Sequence, residues 1–343
     1  SDPIDARQDL DGLINISNQS DLSFTINGSE VKVFTGGKLN GKYTVNINEG
    51  IKNSWGDVLD KGFAGNVSFE TVLPSVSIQG KGNILPNSGR LVLPFESINL
   101  SAVDISIIKI YENNVPAFLQ QNTLRGDNEL RRVARPVLQK TLRLDDDKTL
   151  DLHKRQHFSL DIDKFLKTEP GALYRITIGF RPEYSLYQSM DTTRNDENNN
   201  DDYEEDYYSY ATNRGVDDDE EFWNRYDTYY PYGYNWQRRD DPSSKSYYNK
   251  DRWASRNIMA SNLGLTAKRD NANGLTVAVS TMLTNAPMSG IDLEVLDYQL
   301  SVVGKGRSGS DGFAGIELKR KPYLLIAKNG TERGYLRLDD GSS

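Results

Sequence analysis

The chain has 343 residues, no cysteine, a net charge of −8 and a hydrophobic share of 36%. That length suggests two or three domains of about 100–150 residues, and the low hydrophobic share implies that part of the chain lacks a core. Without cysteine there are no disulfides, thiolate metal sites, cysteine nucleophile or lipidated cysteine, and no apolar run approaches the roughly 18 residues of a spanning helix.

The acidity is local. Residues 191–251 hold 17 Asp and Glu against 7 Lys and Arg, and the remainder holds 32 against 34. Outside that one segment the surface is near neutral, and no basic patch with interleaved aromatics points to nucleic acid. The chain opens at Ser1-Asp2-Pro3 with neither an initiator methionine nor a signal peptide, and reads as a piece of a larger protein whose targeting segment lies upstream.

Residues 1–72 predict five short strands: Leu13–Ile16, Leu22–Ile26, Val31–Phe34, Tyr43–Ile47 and Val67–Glu70. Asn27-Gly28, Gly36-Gly37 and Asn40-Gly41 supply the positive φ of tight hairpin turns. Leu73-Pro74 is the joint to a second unit at 73–186, with strands at Val76–Gln79, Gly89–Pro94, Val103–Tyr111, Gln139–Leu144, Gln156–Leu160 and Leu173–Phe180. Within it Ile107-Ile108-Lys109-Ile110 demands burial on both faces or a bulge. Helical turns are predicted at Asn114–Gln121 and at Asp163–Lys167, the latter ending before Pro170-Gly171.

Residues 187–255 break the strand pattern. The blocks Asn195–Asp202 and Asp217–Glu221 repel themselves and carry no apolar cover. Yet 11 tyrosines lie between Tyr203 and Tyr248, joined by Trp223, Trp236 and Trp253. Three readings stand side by side: a solvated insertion draped on the neighbouring sandwich, a partner-binding segment, or a segment ordered by tyrosine hydroxyl bonds. The last unit, 256–343, returns to short apolar or alternating runs cut by Asn271–Gly274, Pro287–Gly290 and Ser308–Gly312. Asp311-Gly312 there suits a type I′ hairpin turn. The fold class is all-β: tandem antiparallel β-sandwiches with an acidic, tyrosine-rich insertion.

Asn262-Leu263-Gly264-Leu265, Pro287-Met288-Ser289-Gly290 and Asp311-Gly312-Phe313 resemble a macroglobulin domain of the bacterial alpha-2-macroglobulin family. Pro170-Gly171-Ala172-Leu173-Tyr174 resembles the Pro-Gly-x-Tyr run that enters a late strand in such domains, with one extra residue before the tyrosine. The family's second turn usually reads Thr-Asp-x-Asp-Gly, of which only Asp311-Gly312 is kept here. Asp2-Pro3-Ile4 resembles the end of a first strand in the family's immunoglobulin-like module, which implies that residues 1–72 are trimmed at their start. The resemblance covers roughly 270 residues. It implies immunoglobulin- or fibronectin III-like sandwiches in a bacterial envelope protease trap, periplasmic or surface-exposed, with any membrane anchor outside this segment. It further implies that the partners are other domains of the parent chain, and proteases through the full-length parent. A chain without cysteine cannot hold a thioester, so the implied role is structural and not enzymatic.

No catalytic, cofactor-binding or metal site is expected. His153 and His157 share a face at helical or strand spacing, but lack the glutamate beside the first histidine that a zinc-protease helix supplies. There is no Gly-x-Ser-x-Gly elbow, P-loop or dinucleotide fingerprint, and the acidic blocks lack EF-hand spacing. The rival reading is a carbohydrate- or protein-binding surface module. Its candidate residues are Tyr207, Tyr208, Trp223, Tyr229, Tyr230, Tyr232, Tyr234 and Trp236, whose rings could stack on sugars while carboxylates bond hydroxyls.

Overall fold

The computed structural model describes residues 2–37, 39, 41–69, 72–86, 91–187, 219–227, 230, 233–270 and 273–338. The described chain forms two compact units, one within 1–72 and one from Leu73 onward. No helix among the described residues is long and apolar enough to cross a membrane.

The first unit has strands β1 (Ile14–Ile16), β2 (Leu22–Asn27), β3 (Glu30–Thr35), β4 (Gly41–Ile47) and β5 (Phe63–Phe69). β1, β4 and β5 make one antiparallel sheet in that order, and β2 and β3 form a separate hairpin. Gly28 closes that hairpin at φ 62°, as the Asn27-Gly28 signal requires. The fifth strand starts four residues before its predicted position. Its small residues Ala64 and Gly65 hide a strand from an apolar pattern, but they pair in register with Asn46 and Val45.

The second sandwich contains β6 (Ser75–Ile78), β7 (Ile84–Leu85), β8 (Val92–Ile98), β9 (Ala102–Ile110), β10 (Ala134–Arg143), β11 (Gln156–Asp161), β12 (Leu173–Gly179) and β13 (Ala254–Ala260). Its sheets are β10-β9-β12-β13-β7 and β11-β8-β6, antiparallel except where β7 runs parallel to β13. Strand β13 was expected to open the last sandwich. It instead pairs Tyr174 with Ile258 and Ile176 with Arg256, so the chain completes the second sandwich only after the insertion. Helix α1 (Val115–Gln121) follows a 3-10 turn at Glu112–Asn114, and α2 (Leu130–Val133) precedes β10. At 163–167 only a 3-10 turn, Ile162–Lys164, forms in place of the predicted helical segment. Five residues ahead of a Pro-Gly corner are too few to repay helix nucleation.

Of the two alternatives for Ile107–Ile110, burial on both faces is the one that forms. Ile105, Ile107, Ile108 and Ile110 are all buried, although Ile107 and Ile108 point to opposite faces. A bulge lies on the partner strand between Pro136 and Leu138. β10 is a sheet edge, where a proline that cannot donate to the ladder is tolerated. Each isoleucine contributes roughly 1.5–3 kcal/mol on burial.

The last sandwich has β14 (Leu263–Arg269), β15 (Gly274–Thr281), β16 (Asp292–Leu296), β17 (Val302–Arg307), β18 (Phe313–Glu317), β19 (Leu324–Asn329) and β20 (Glu332–Arg337). They form sheets β14-β15-β18 and β17-β16-β19-β20. Between β17 and β18 only Gly312 has positive φ, 78°, whereas a type I′ turn needs two such residues. The loop is therefore a wider one, in which the Gly312 amide donates to Gly309 O at 3.0 Å.

The second and last sandwiches share a core: Ile108, Ile110 and Leu173 lie in one cluster with Leu296, Leu324 and Tyr335. Polar ties edge it. Arg333 Nε meets Glu112 Oε1 at 2.6 Å, the Tyr335 hydroxyl donates to Gly171 O at 3.0 Å, and Arg337 donates to Asn122 O at 3.2 Å. Gly171 sits at φ 76°, and a Cβ there would lie 2.5 Å from Arg333 Cγ. The Pro-Gly corner is thus both a turn and a contact surface.

On β16, Glu294 lies between Lys305 at 3.1 Å and Lys328 at 2.8 Å, on the two neighbouring strands. The hydrogen bond from Lys328, then that from Lys305, holds its carboxyl below the usual value. A depressed folded-state pKa gives stability that is present above the unfolded value of 4.5 and lost as pH falls through the folded one. Glu294→Gln should cost about 0.5 kcal/mol at neutral pH and flatten this part of the acid limb. Urea unfolding from pH 7 to pH 3 measures both effects.

Candidate functional site

The aromatic insertion is the segment with the richest side-chain chemistry outside regular sheet. Its described part begins with helix α3 (Asp219–Tyr226), sequence DEEFWNRY. Phe222, Trp223 and Tyr226 sit at spacings of one, three and four, so they share one helical face. Phe222 and Trp223 meet edge to face at 5.2 Å, and Phe222 stacks on Tyr226 at 5.8 Å. Both Phe222 and Trp223 are buried in the cluster that covers the outer face of β9 and β12.

The ends of α3 are pinned by charge. Asp219 meets Arg135 at 2.9 Å and Glu220 approaches Arg131 at 3.9 Å, which places carboxylates at the positive end of the helix. At the other end the Lys250 ammonium donates to Tyr226 O and lies 5.1 Å over the Tyr226 ring. Burial pushes that ammonium down to about 8.

Under α3 lies a polar hub that the sequence reading missed. Arg175, in the middle of β12, donates to the Tyr226 hydroxyl at 3.1 Å, Asn257 Oδ1 at 3.1 Å and Asp127 Oδ2 at 2.5 Å. Asn257 in turn donates to Gly126 O and accepts, at its carbonyl, from the Asn83 amide, both at 2.7 Å. One guanidinium therefore ties α3, β12, β13 and the loop after α1. The available signal was a lone arginine between Tyr174 and Ile176 in an apolar strand. Alternation places it on the face opposite those two side chains.

The second described stretch, 233–253, is built from three 3-10 turns: Trp236–Arg238, Lys245–Tyr247 and Lys250–Arg252. Each begins after Asn235, Ser244 or Asn249, whose side-chain oxygen accepts the amide two residues on. Tyr247 and Tyr248 are buried against Phe180, and their hydroxyls donate to Pro74 O at 2.7 Å and Pro242 O at 2.8 Å. Arg252 stacks on the Tyr247 ring at 3.9 Å and meets Asp240 at 2.6 Å. A Cβ at Gly179 would come within 2.9 Å of the Trp253 ring, so that glycine admits the indole.

Of the candidate partner-binding residues, Trp223, Tyr230, Tyr234 and Trp236 are among the described residues. Trp223, at 4% exposure, is a core residue and not a binding surface, because β9 and β12 need cover on their outer face. Tyr230 stacks on Tyr234 at 4.3 Å, and Trp236, at 59% exposure, holds the Arg239 guanidinium 4.0 Å from its ring. Tyr207, Tyr208, Tyr229 and Tyr232 lie outside the described residues. The histidines go to separate neighbours, His153 Nδ1 to Asn99 Oδ1 at 2.9 Å and His157 Nδ1 to Glu96 at 3.3 Å. Among the described residues no cluster of three or more metal-ligating side chains forms.

Residues 260–343 match the family model of the bacterial alpha-2-macroglobulin MG3 domain. The chain is similar to the bacterial alpha-2-macroglobulins. A crystal structure of native alpha-2-macroglobulin from Escherichia coli, spanning domains MG0-NIE-MG1, aligns over 99% of this chain and 90% of its own length, at 17% identity and TM-score 0.57. The native E. coli protein seen by cryo-EM aligns over 98% of this chain at 16% identity and TM-score 0.56, and this chain spans 18% of it. At such identities the likeness is one of fold. No curated protein matches the chain in sequence.

The geometry separates two kinds of aromatic residue. Trp223→Ala should destabilise the unit from Leu73 onward by about 3–5 kcal/mol, while Trp236→Ala should change it by less than about 0.5 kcal/mol. Denaturant unfolding of the two variants beside the parent chain measures the difference.

Proposed function

We propose that this chain is a non-catalytic, amino-terminal scaffold of a bacterial alpha-2-macroglobulin-like protease trap. The observation that carries the reading is fold likeness along 99% of the chain to consecutive E. coli alpha-2-macroglobulin domains. The MG3 match at 260–343 supports it. So does the construction of the insertion, whose buried rings and charged ties cover a sheet.

The proposal divides the chain into an immunoglobulin-like sandwich at 1–72, a macroglobulin-like sandwich at 73–186, the aromatic insertion at 187–255 and a macroglobulin-like sandwich at 256–343. Strand β13 crosses the last of these boundaries into the second sandwich. The role includes a location in the bacterial cell envelope, with any anchor outside these residues. Proteases are met through the full-length parent, and the remaining contacts are with other domains of that parent.

The test compares this chain with the longer protein that contains it, each mixed with an endopeptidase. The longer protein should slow cleavage of a large protein substrate while leaving a small chromogenic peptide open to attack. This chain alone should affect neither. Unchanged cleavage of the large substrate by the longer protein, or inhibition by this chain alone, would overturn the assignment.

A second reading, a carbohydrate- or protein-binding module, rests on the exposure of Trp236 and the Tyr230–Tyr234 stack. It requires hits on a glycan or protein array that disappear in Trp236→Ala, and an array without hits removes it.

A further inference from the structure

We propose that the loop joining β6 to β7 is a phosphate-binding site, in which the backbone amides of Gly80, Lys81 and Gly82 and the Lys81 ammonium hold the anion.

Two guanidiniums set the direction of the peptide units in this loop. Arg256, on β13, donates to the carbonyls of Gln79 at 2.7 Å and Ile78 at 3.1 Å, and to that of Gly80. Arg125, in the turn after α1, donates to Lys81 O at 3.3 Å and to Asn83 Oδ1 at 3.2 Å. A peptide group is planar and trans, so a carbonyl drawn to one side sends the amide that follows it to the other. With the carbonyls of Gln79, Gly80 and Lys81 held by guanidiniums, the amides of Gly80, Lys81 and Gly82 face away from them.

Those three amides find no acceptor among the described residues, and all three residues are exposed. The amide just before them behaves otherwise, since Gln79 donates to Pro94 O at 2.9 Å. Gly80 has φ 84°, whereas Lys81 has no positive φ. Alternation of left- and right-handed backbone turns successive N–H groups toward one point, which makes an anion-binding concavity. Glycine supplies the left-handed residue without steric cost.

The charge around the concavity is of one sign. Among the described residues Lys81, Arg125 and Arg256 meet no carboxylate. Burial, and after it the Arg125 charge, pulls the Arg256 guanidinium below its usual value. Both cations lie at the carbonyl ends of the peptide dipoles, so they strengthen the amides as donors. A carboxylate would offer two oxygens to these groups. A phosphate offers three acceptor oxygens and close to two negative charges, which suits three amides and an ammonium. The site is exposed and has no helix behind it, so inorganic phosphate should bind with a dissociation constant on the order of 1–10 mM.

The test is a titration of the full, 15N-labelled chain with sodium phosphate, with sodium chloride holding the ionic strength constant. The Gly80, Lys81 and Gly82 amide signals should shift and saturate. Lys81→Glu, at an exposed side chain, should raise the dissociation constant at least about tenfold with an unchanged circular dichroism spectrum. Flotation with phosphatidylcholine vesicles containing phosphatidic acid separates the sources of the phosphate. Flotation that free phosphate competes away assigns a lipid headgroup, and saturating shifts without flotation assign a soluble phosphate compound. Three results would overturn the proposal: no saturating shift up to about 50 mM phosphate, the same shifts with chloride alone, or equal affinity in Lys81→Glu.

Discussion

The five-stranded sheet of the second sandwich is apolar on both faces. β9 and β12 carry Ile105, Ile107, Tyr174, Ile176 and Ile178 on one side, and Ile108, Ile110 and Leu173 on the other. A sheet of that kind is stable only when two layers cover it. The first face takes the β11-β8-β6 sheet, as any sandwich does. The second face takes α1, α2, the aromatic side of α3 and the edge of the last sandwich. The insertion and the last sandwich are therefore part of how the second sandwich closes.

That constraint explains the composition of the insertion. A segment with many carboxylates cannot bury itself, yet it anchors when aromatic residues are placed where the sheet is bare. Phe222, Trp223, Tyr247 and Tyr248 supply apolar area, and the Tyr247 and Tyr248 hydroxyls donate to backbone carbonyls. Arg175 performs the matching task at the polar end of the outer face, where its fork satisfies three partners from three segments. The boundary between the second and last sandwiches is therefore a packed surface. In the first unit, the described strands are buried at Ile14 and Ile16 of β1 and exposed at Phe63 of β5.

Much of the architecture was legible in the sequence. Short runs cut by Asn-Gly and Pro-Gly punctuation placed most strands within a few residues, because turn chemistry and period-two alternation are local. The two-sided burial of Ile107–Ile110 was legible for the same reason. Asp163–Lys167 and the β17–β18 turn went otherwise, since neighbouring Pro-Gly geometry and loop length outweighed the local signal. The insertion was the hardest part. Trp223 and Trp236 look alike in a tyrosine-rich acidic stretch, and nothing local says that one is core and the other surface.

The class of structure follows from the sequence alone: antiparallel sandwiches and a distinct acidic aromatic segment. These follow from periodicity, turn residues and composition, all of which act over a few neighbours. Only the tertiary structure decided that β13 belongs to the second sandwich, that Arg175 is a hub and that the Pro-Gly corner meets Arg333. Each of those depends on residues more than 45 positions apart meeting on one face, a cost of chain closure repaid only when whole layers pack.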